Sequence, residues 1–248
     1  MDSRLIKSQA SYFSDFNELT PSPSNWKRIL EAFEDFEDFT PSTSKYFGPD
    51  SNGNMVDRPQ LLDTNNGLSI NFNPSRVDIH QEAKDPSSSN MLNKKDFTDL
   101  AVKIHTNLIK LKDINLSRIS VVFDRFISTP EGKTIEDYQA SIAPMIILPD
   151  GVIPFEWNSR AAYSDSLSFS DLGQQELNKI VNISRVSGHF QTGVTKREFD
   201  CLNLQTDINT KPINMEQRFN TNHVAEFFEH ALDADQKLYD QISSTLTE

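Results

Sequence analysis

LSINFNPSRVDI, residues 68–79, is the stretch on which the fold turns. Leu68, Ile70 and Phe72 alternate with polar residues, the period-2 pattern of a half-buried strand. Asn73-Pro74 then marks a turn, and Val77 and Ile79 resume the alternation. Just before it, Asn65-Asn66-Gly67 is a strong turn signal, because Asn and Gly accept positive φ. Leu61 and Leu62 precede that turn. Short turns between consecutive alternating runs favour antiparallel pairing.

Outward from this meander the elements follow in turn. Residues 85–90 are a Ser-rich polar loop. Phe97, Leu100, Ala101, Ile104, Leu108 and Leu111 then form one apolar stripe, which predicts a helix over 95–112. The β-branched run 118–127 reads as a central strand. Over 134–172 the signals are mixed, with a short helix at 135–143 and no resolved elements after it. Two strands, 181–190 and 194–204, join near Gly188 to Gly193. A last helix begins near Met215 or Asn222, with Val224, Phe227, Phe228, Ala231, Leu238 and Ile242 on its buried face. Toward the N-terminus, Trp26, Ile29, Leu30, Phe33 and Phe36 predict a helix over 25–36, with Ser24 as N-cap and Pro41 beyond its end. Residues 41–59 read as a loop. This order predicts an α+β fold: a mainly antiparallel sheet, helices packed on one face, and an amphipathic C-terminal helix. It divides the chain into an N-terminal arm and loop, 1–58, and a body, 59–248.

Composition narrows the function. The chain has 248 residues and a net charge of −12. A nucleic-acid binder needs a basic surface to neutralise phosphates, so direct binding of nucleic acid is not expected. The 17 Phe exclude a disordered chain, despite a mean hydropathy of −0.52. The single cysteine, Cys201, can build neither an internal disulfide nor a Cys-based zinc site. Residues 1–10 carry charges without a following apolar run, unlike a signal peptide. No run is apolar for long enough to suggest a membrane span. A cytoplasmic setting follows as the expectation.

Several constellations bear on chemistry. Gly188 and Gly193 have phosphate-loop spacing, but Val194-Thr195 stand where Lys-Ser/Thr would meet the phosphates, so a hairpin loop is the better reading. Asp124, Glu131 and Lys133 loosely imitate a metal-dependent nuclease core, although Pro130 to Lys133 reads as a turn. His223, Glu226 and His230 fall at i, i+3 and i+7 and share a helix face. They could hold Zn²⁺ or Mn²⁺, or form a polar face opposite Phe227 and Phe228. Glu198 and Asp200 lie on one side of a strand, beside Lys196 and Arg197. Cys201 next to Asp200 reads as a core residue, not a nucleophile. None of these sets calls for a cofactor. The most distinctive cluster is Glu31, Glu34, Asp35, Glu37 and Asp38, interleaved with Phe33, Phe36 and Phe39. It is either a surface for a basic partner or the solvated outer face of an amphipathic helix.

The motif order resembles a sporadically distributed, functionally uncharacterised family of prokaryotic and phage proteins. The similarity runs through LSINFNPSRVDI, the helix from Phe97 to Ile104, and Arg118-Ile119 followed by Arg125-Phe126-Ile127. It ends with the stretch from Leu204 through Asp207-Ile208-Asn209 to the terminal helix. The resemblance implies a compact α+β body and a setting in phage–bacterium conflict, with the host cytoplasm as location if the chain is phage-encoded. It transfers no site residue.

Three readings follow. The first is a non-enzymatic acidic interaction module, an inhibitor, immunity or defence factor, meeting a basic protein through Glu31, Glu34, Asp35, Phe36, Glu37 and Asp38. The second is a metal-dependent hydrolase or nuclease. The third is a scaffold subunit that self-associates.

Overall fold

The computed structural model describes residues 3–48, 53–84, 91–128, 134–137, 156–192, 195–212 and 215–247. Their strands are β1 (Ser3–Phe13), β2 (Thr40–Tyr46), β3 (Val56–Asp63), β4 (Leu68–Asn73), β5 (Arg76–Glu82), β6 (Arg118–Ile127), β7 (Trp157–Phe169), β8 (Gly173–Thr192) and β9 (Thr195–Thr210). The long helices are α1 (Pro23–Ala32), α2 (Lys94–Leu111) and α3 (Thr221–Thr247). The nine strands form one sheet in the order β2-β3-β4-β5-β1-β6-β9-β8-β7, with every pairing antiparallel. The fold is α+β.

The meander is as its alternation predicts. Ile70 pairs with Leu61 on one side and Ile79 on the other, and all three are buried. Gly67 sits at φ +65°, and a Cβ there would lie 2.6 Å from the carbonyl oxygen of Glu82. Left-handed backbone costs an L-residue roughly 1–2 kcal/mol before any clash. Gly67→Ala is therefore expected to lower stability by about 2 kcal/mol in a urea melt, and an unchanged midpoint would remove this turn from the determinants of the meander.

β1 belongs to the segment read from sequence as an arm, yet it lies mid-sheet. Ala10 pairs with Ile79 of β5 and with Val121 of β6. Its buried residues are small or polar, Ser8 and Ala10 before Tyr12, so no apolar run announces it. Tyr12 is buried and donates its hydroxyl proton to the Ala101 carbonyl of α2 at 2.7 Å. The loop read over 41–59 is corrected in part. It contains β2 and the start of β3, and Thr43 pairs with Pro59. β2 is an edge strand of mostly exposed residues, and such strands need no apolar alternation.

The apolar core gathers alternate strand residues, Ile70, Phe72, Ile79, Val121 and Phe123 among them. Phe97, Ile104 and Leu108 of α2 and Val224, Phe227 and Ala231 of α3 join the same cluster. The remaining strand positions, one residue out of step, are largely polar. They include Gln9 and Ser11 of β1, Arg76, Asp78 and His80 of β5, and Asn203, Gln205, Asp207 and Asn209 of β9.

β6 has the bounds expected, and the paired C-terminal strands run longer than expected, as β8 and β9. In the region of mixed sequence signals, 157–169 form β7 and residues 135–137 are helical. The rest of the helix read over 135–143 lies outside the described residues.

Candidate functional site

α1 begins one turn-signal earlier than its apolar stripe suggests. Ser22, not Ser24, is the N-cap, and its hydroxyl accepts the Asn25 backbone N–H at 3.3 Å. Pro23 takes the first helical position, where its missing N–H costs nothing. The helix ends at Ala32, so of the acidic cluster only Glu31 is helical.

Beyond the helix the chain advances in three-residue turns. Phe36 N–H donates to Phe33 O at 3.0 Å, and Phe39 N–H to Phe36 O at 3.1 Å. A three-residue repeat eclipses side chains at i and i+3. Phe33, Phe36 and Phe39 accordingly form a ladder with successive ring centroids 5.7 Å apart. Phe33 is buried and meets Phe72 edge-on at 5.9 Å, which anchors the ladder to β4. Phe36 is half-buried beneath the Lys103 ammonium, 5.0 Å from its ring centroid. The intervening residues Glu34, Asp35, Glu37 and Asp38 are exposed, as is Glu31. Glu31 lies 3.8 Å from Lys27 and Asp35 lies 3.8 Å from Lys110, both exposed pairs of little energetic weight. The reading as an outer helix face is corrected: this is an aromatic-anchored turn that projects carboxylates.

The three α3 residues with metal-ligand character share a face, and each is engaged by the β7–β8 hairpin. His223 is buried; its Nδ1 accepts the Asn220 N–H at 3.1 Å, so its Nε2 carries the proton donated to Asp171. That bond holds the Asp171 carboxyl below the usual carboxylate range. Glu226 accepts from the Ser170 hydroxyl at 2.8 Å and from the Ser170 N–H at 3.2 Å. His230 Nε2 lies 3.7 Å from Asp165, and burial, then Lys179, lowers the His230 imidazole below its ordinary value. The set docks α3 on the hairpin. Among the described residues no group of three or more His, Cys, Asp or Glu side chains could hold a metal ion.

The other candidates are likewise spoken for. Asp124 accepts from Gln205 at 3.1 Å and Asn203 at 3.5 Å, while burial raises its carboxyl. Glu131 and Lys133, its expected companions, lie outside the described residues, as does Gly193. Asp200 forms a two-pronged pair with Arg185, at 3.0 and 2.6 Å, and Glu198 is exposed. Cys201 is half-buried, and burial together with Asp200 pushes its thiol up to about 11, so it stays protonated and a poor nucleophile. Gly188 belongs to the β8–β9 hairpin, where a Cβ would sit 2.9 Å from the Phe199 ring.

Two features went unread in the sequence. The first is the polar side of the sheet. Ser11 donates to Asp78 at 2.6 Å, Asn73 and Arg76 reach the same carboxylate at 2.8 Å, and Asn209 donates to Asp207 at 2.9 Å. Phe13 lies between two guanidinium groups, Arg118 at 4.6 Å and Arg76 at 5.7 Å from its ring centroid. The signal is present as polar residues at alternate positions, Lys7, Gln9 and Ser11 of β1 and Asn203, Gln205, Asp207 and Asn209 of β9. The second is a buried charge cluster on the opposite side. Asp235 of α3, fully buried, accepts from Arg125 of β6, from Lys94 of α2 at 2.6 Å and from Thr206 of β9 at 2.5 Å.

No helix among the described residues is long and apolar enough to cross a membrane. No protein-family model matches this chain. No curated protein matches it either.

Proposed function

We propose that the protein is a non-enzymatic interaction module that engages a basic protein partner through the turn Glu31 to Asp38. The observation that supports this most is the Phe33–Phe36–Phe39 ladder, which fixes exposed carboxylates on a turn rooted in the core. A fixed array of like charges steers a complementary surface and loses less conformational entropy on binding than a mobile loop. The accompanying architecture in this proposal has α1, α2 and α3 packed on one face of the sheet and α3 amphipathic. The Tyr12–Ala101 bond and the Asp235 cluster support that placement. Likeness to a sporadically distributed prokaryotic and phage family supports a role as an inhibitor, immunity or defence factor in phage–bacterium conflict, acting in the cytoplasm.

The test uses the wild-type chain and a variant carrying Glu34→Lys, Asp35→Lys, Glu37→Lys and Asp38→Lys, each presented to nuclease-treated host lysate over a salt series. Wild type should retain one dominant basic protein at low salt and release it as screening increases. The variant should bind that protein at least about tenfold more weakly, with an unchanged melting temperature. Full retention by the variant would overturn the assignment of the surface.

A further inference from the structure

A cavity of about 450 Å³ opens where the start of β1, the N-terminus of α2 and the middle of α3 meet. Ordinary small-molecule sites begin at about 300 Å³, so it is large enough for a compact ligand. Its walls include Leu5, Leu92, Lys94, Arg125, Gln236 and Tyr239.

The backbone is adapted to this place. Lys7 pairs with Asp124, but Leu5 pairs with Arg125, so one extra residue is accommodated between Leu5 and Lys7. Without that shift Leu5 would share the side of Lys7; with it, Leu5 shares the side of Arg125. Register irregularities of this kind re-aim side chains and gather beside functional sites.

The chemistry of the wall is cationic and apolar together. Arg125 is 3% exposed, and its Nε is buried without a hydrogen-bond partner. Its guanidinium lies 5.2 Å from the Tyr239 ring centroid. Lys94 opens α2 directly after the N-cap Asn93, where the helix dipole favours negative charge. One carboxylate, Asp235, faces both cations, which leaves the wall net positive in a chain whose total charge is −12. Lys94 also reaches Gln236 Oε1 at 3.5 Å, at the exposed rim.

We infer that this cavity binds a small organic anion. Its carboxylate or phosphate head would meet Lys94 in the field of the Arg125 guanidinium, and a flat apolar body would lie against Leu5, Leu92 and Tyr239. This site is independent of the acidic turn, so either assignment can fail without the other.

The test follows backbone amide shifts of the full chain by NMR, titrated with benzoate and with phenyl phosphate. Benzyl alcohol serves as the neutral control and sodium chloride as the ionic-strength control. At least one anion should give saturable shifts centred on Leu92, Asn93, Lys94, Arg125 and Gln236, and the pair of probes shows which head group is preferred. Gln236→Glu, an exposed substitution that leaves the buried cluster intact, should weaken that binding at least about fivefold by placing a negative charge beside Lys94. Lys94→Gln should weaken it further. The inference is overturned if neither anion gives saturable shifts, if either control reproduces them, or if Gln236→Glu leaves the affinity unchanged.

Discussion

Asp235→Ala is expected to lower the unfolding free energy by about 3–5 kcal/mol, the range for leaving a buried charge without its partner. Asp235 has no exposed surface, and the Arg125 side chain is 4% exposed. Their attraction acts where water cannot replace it. Removing the carboxylate strands the guanidinium and the Thr206 hydroxyl, which donates to Asp235 at 2.5 Å. Lys94 is the looser member, with 24% of its side chain exposed, and it can turn its ammonium to solvent. Lys94→Met should accordingly cost much less, about 1 kcal/mol. The decisive comparison is the double variant Arg125→Met/Asp235→Leu. Paired buried ions can be exchanged for apolar residues at little net cost, because the desolvation penalty disappears with them. The double variant should therefore regain most of the stability that Asp235→Ala loses, measured by urea unfolding. If the double variant is as unstable as the sum of its two single changes, the residues are not energetically coupled and the cluster is not a tertiary lock.

That cluster also marks the limit of what the sequence discloses. Arg125 and Asp235 are 110 residues apart, and each reads alone as an ordinary charged residue on a strand or helix. Only the antiparallel pairing of β6 with β9 and the docking of α3 bring them together. Local signals did better. The turn Asn65-Asn66-Gly67, the alternation in 68–79, the apolar stripe of α2 and the β-branched run of β6 are each decided by a few neighbouring residues, and each is found where expected. β1 was missed because the strand beneath α2 packs with Ser8 and Ala10, whose small side chains carry little hydropathy. β2 was missed because an edge strand is held by backbone bonds to β3 and its side chains stay in water. The acidic turn was legible as a composition but not as a shape. The Phe spacing reads as helical through Phe36, but the chain tightens from Phe33, where α1 ends. The α3 residues His223, Glu226 and His230 do share a face, as their spacing requires. What occupies that face, the β7–β8 hairpin, came from a region whose mixed signals resolved no strand.

Acid should act on this fold partly through one imidazole. His105 of α2 has no exposed surface, its ring meets Tyr12 edge-on at 5.2 Å, and its Nδ1 lies 3.2 Å from the Thr221 hydroxyl. Its Nε2 is buried without a partner, so no carboxylate offsets the cost of charging the ring. Burial lowers the imidazole from 6.5 to about 4. The Tyr12 hydroxyl beside it is driven well above its ordinary value by burial and does not titrate in this range. The folded state therefore holds His105 neutral while the unfolded chain takes up a proton. Between pH 6.5 and about 4 the unfolded state binds more protons, so stability falls as pH falls. The contribution is fully present above the unfolded value and is lost progressively down to the folded one, about 3 kcal/mol in all. His105→Leu removes the titrating group and keeps a side chain of similar bulk. All other acid-titrating groups are common to both chains and cancel in the difference between their pH profiles. The variant's unfolding free energy should thus decline less steeply over that window, by up to about 1.4 kcal/mol per pH unit. Its profile should run parallel to wild type above pH 7. Parallel profiles through the whole acid limb would mean that His105 is protonated as readily in the folded chain as in the unfolded one, and that the ring is reached by water.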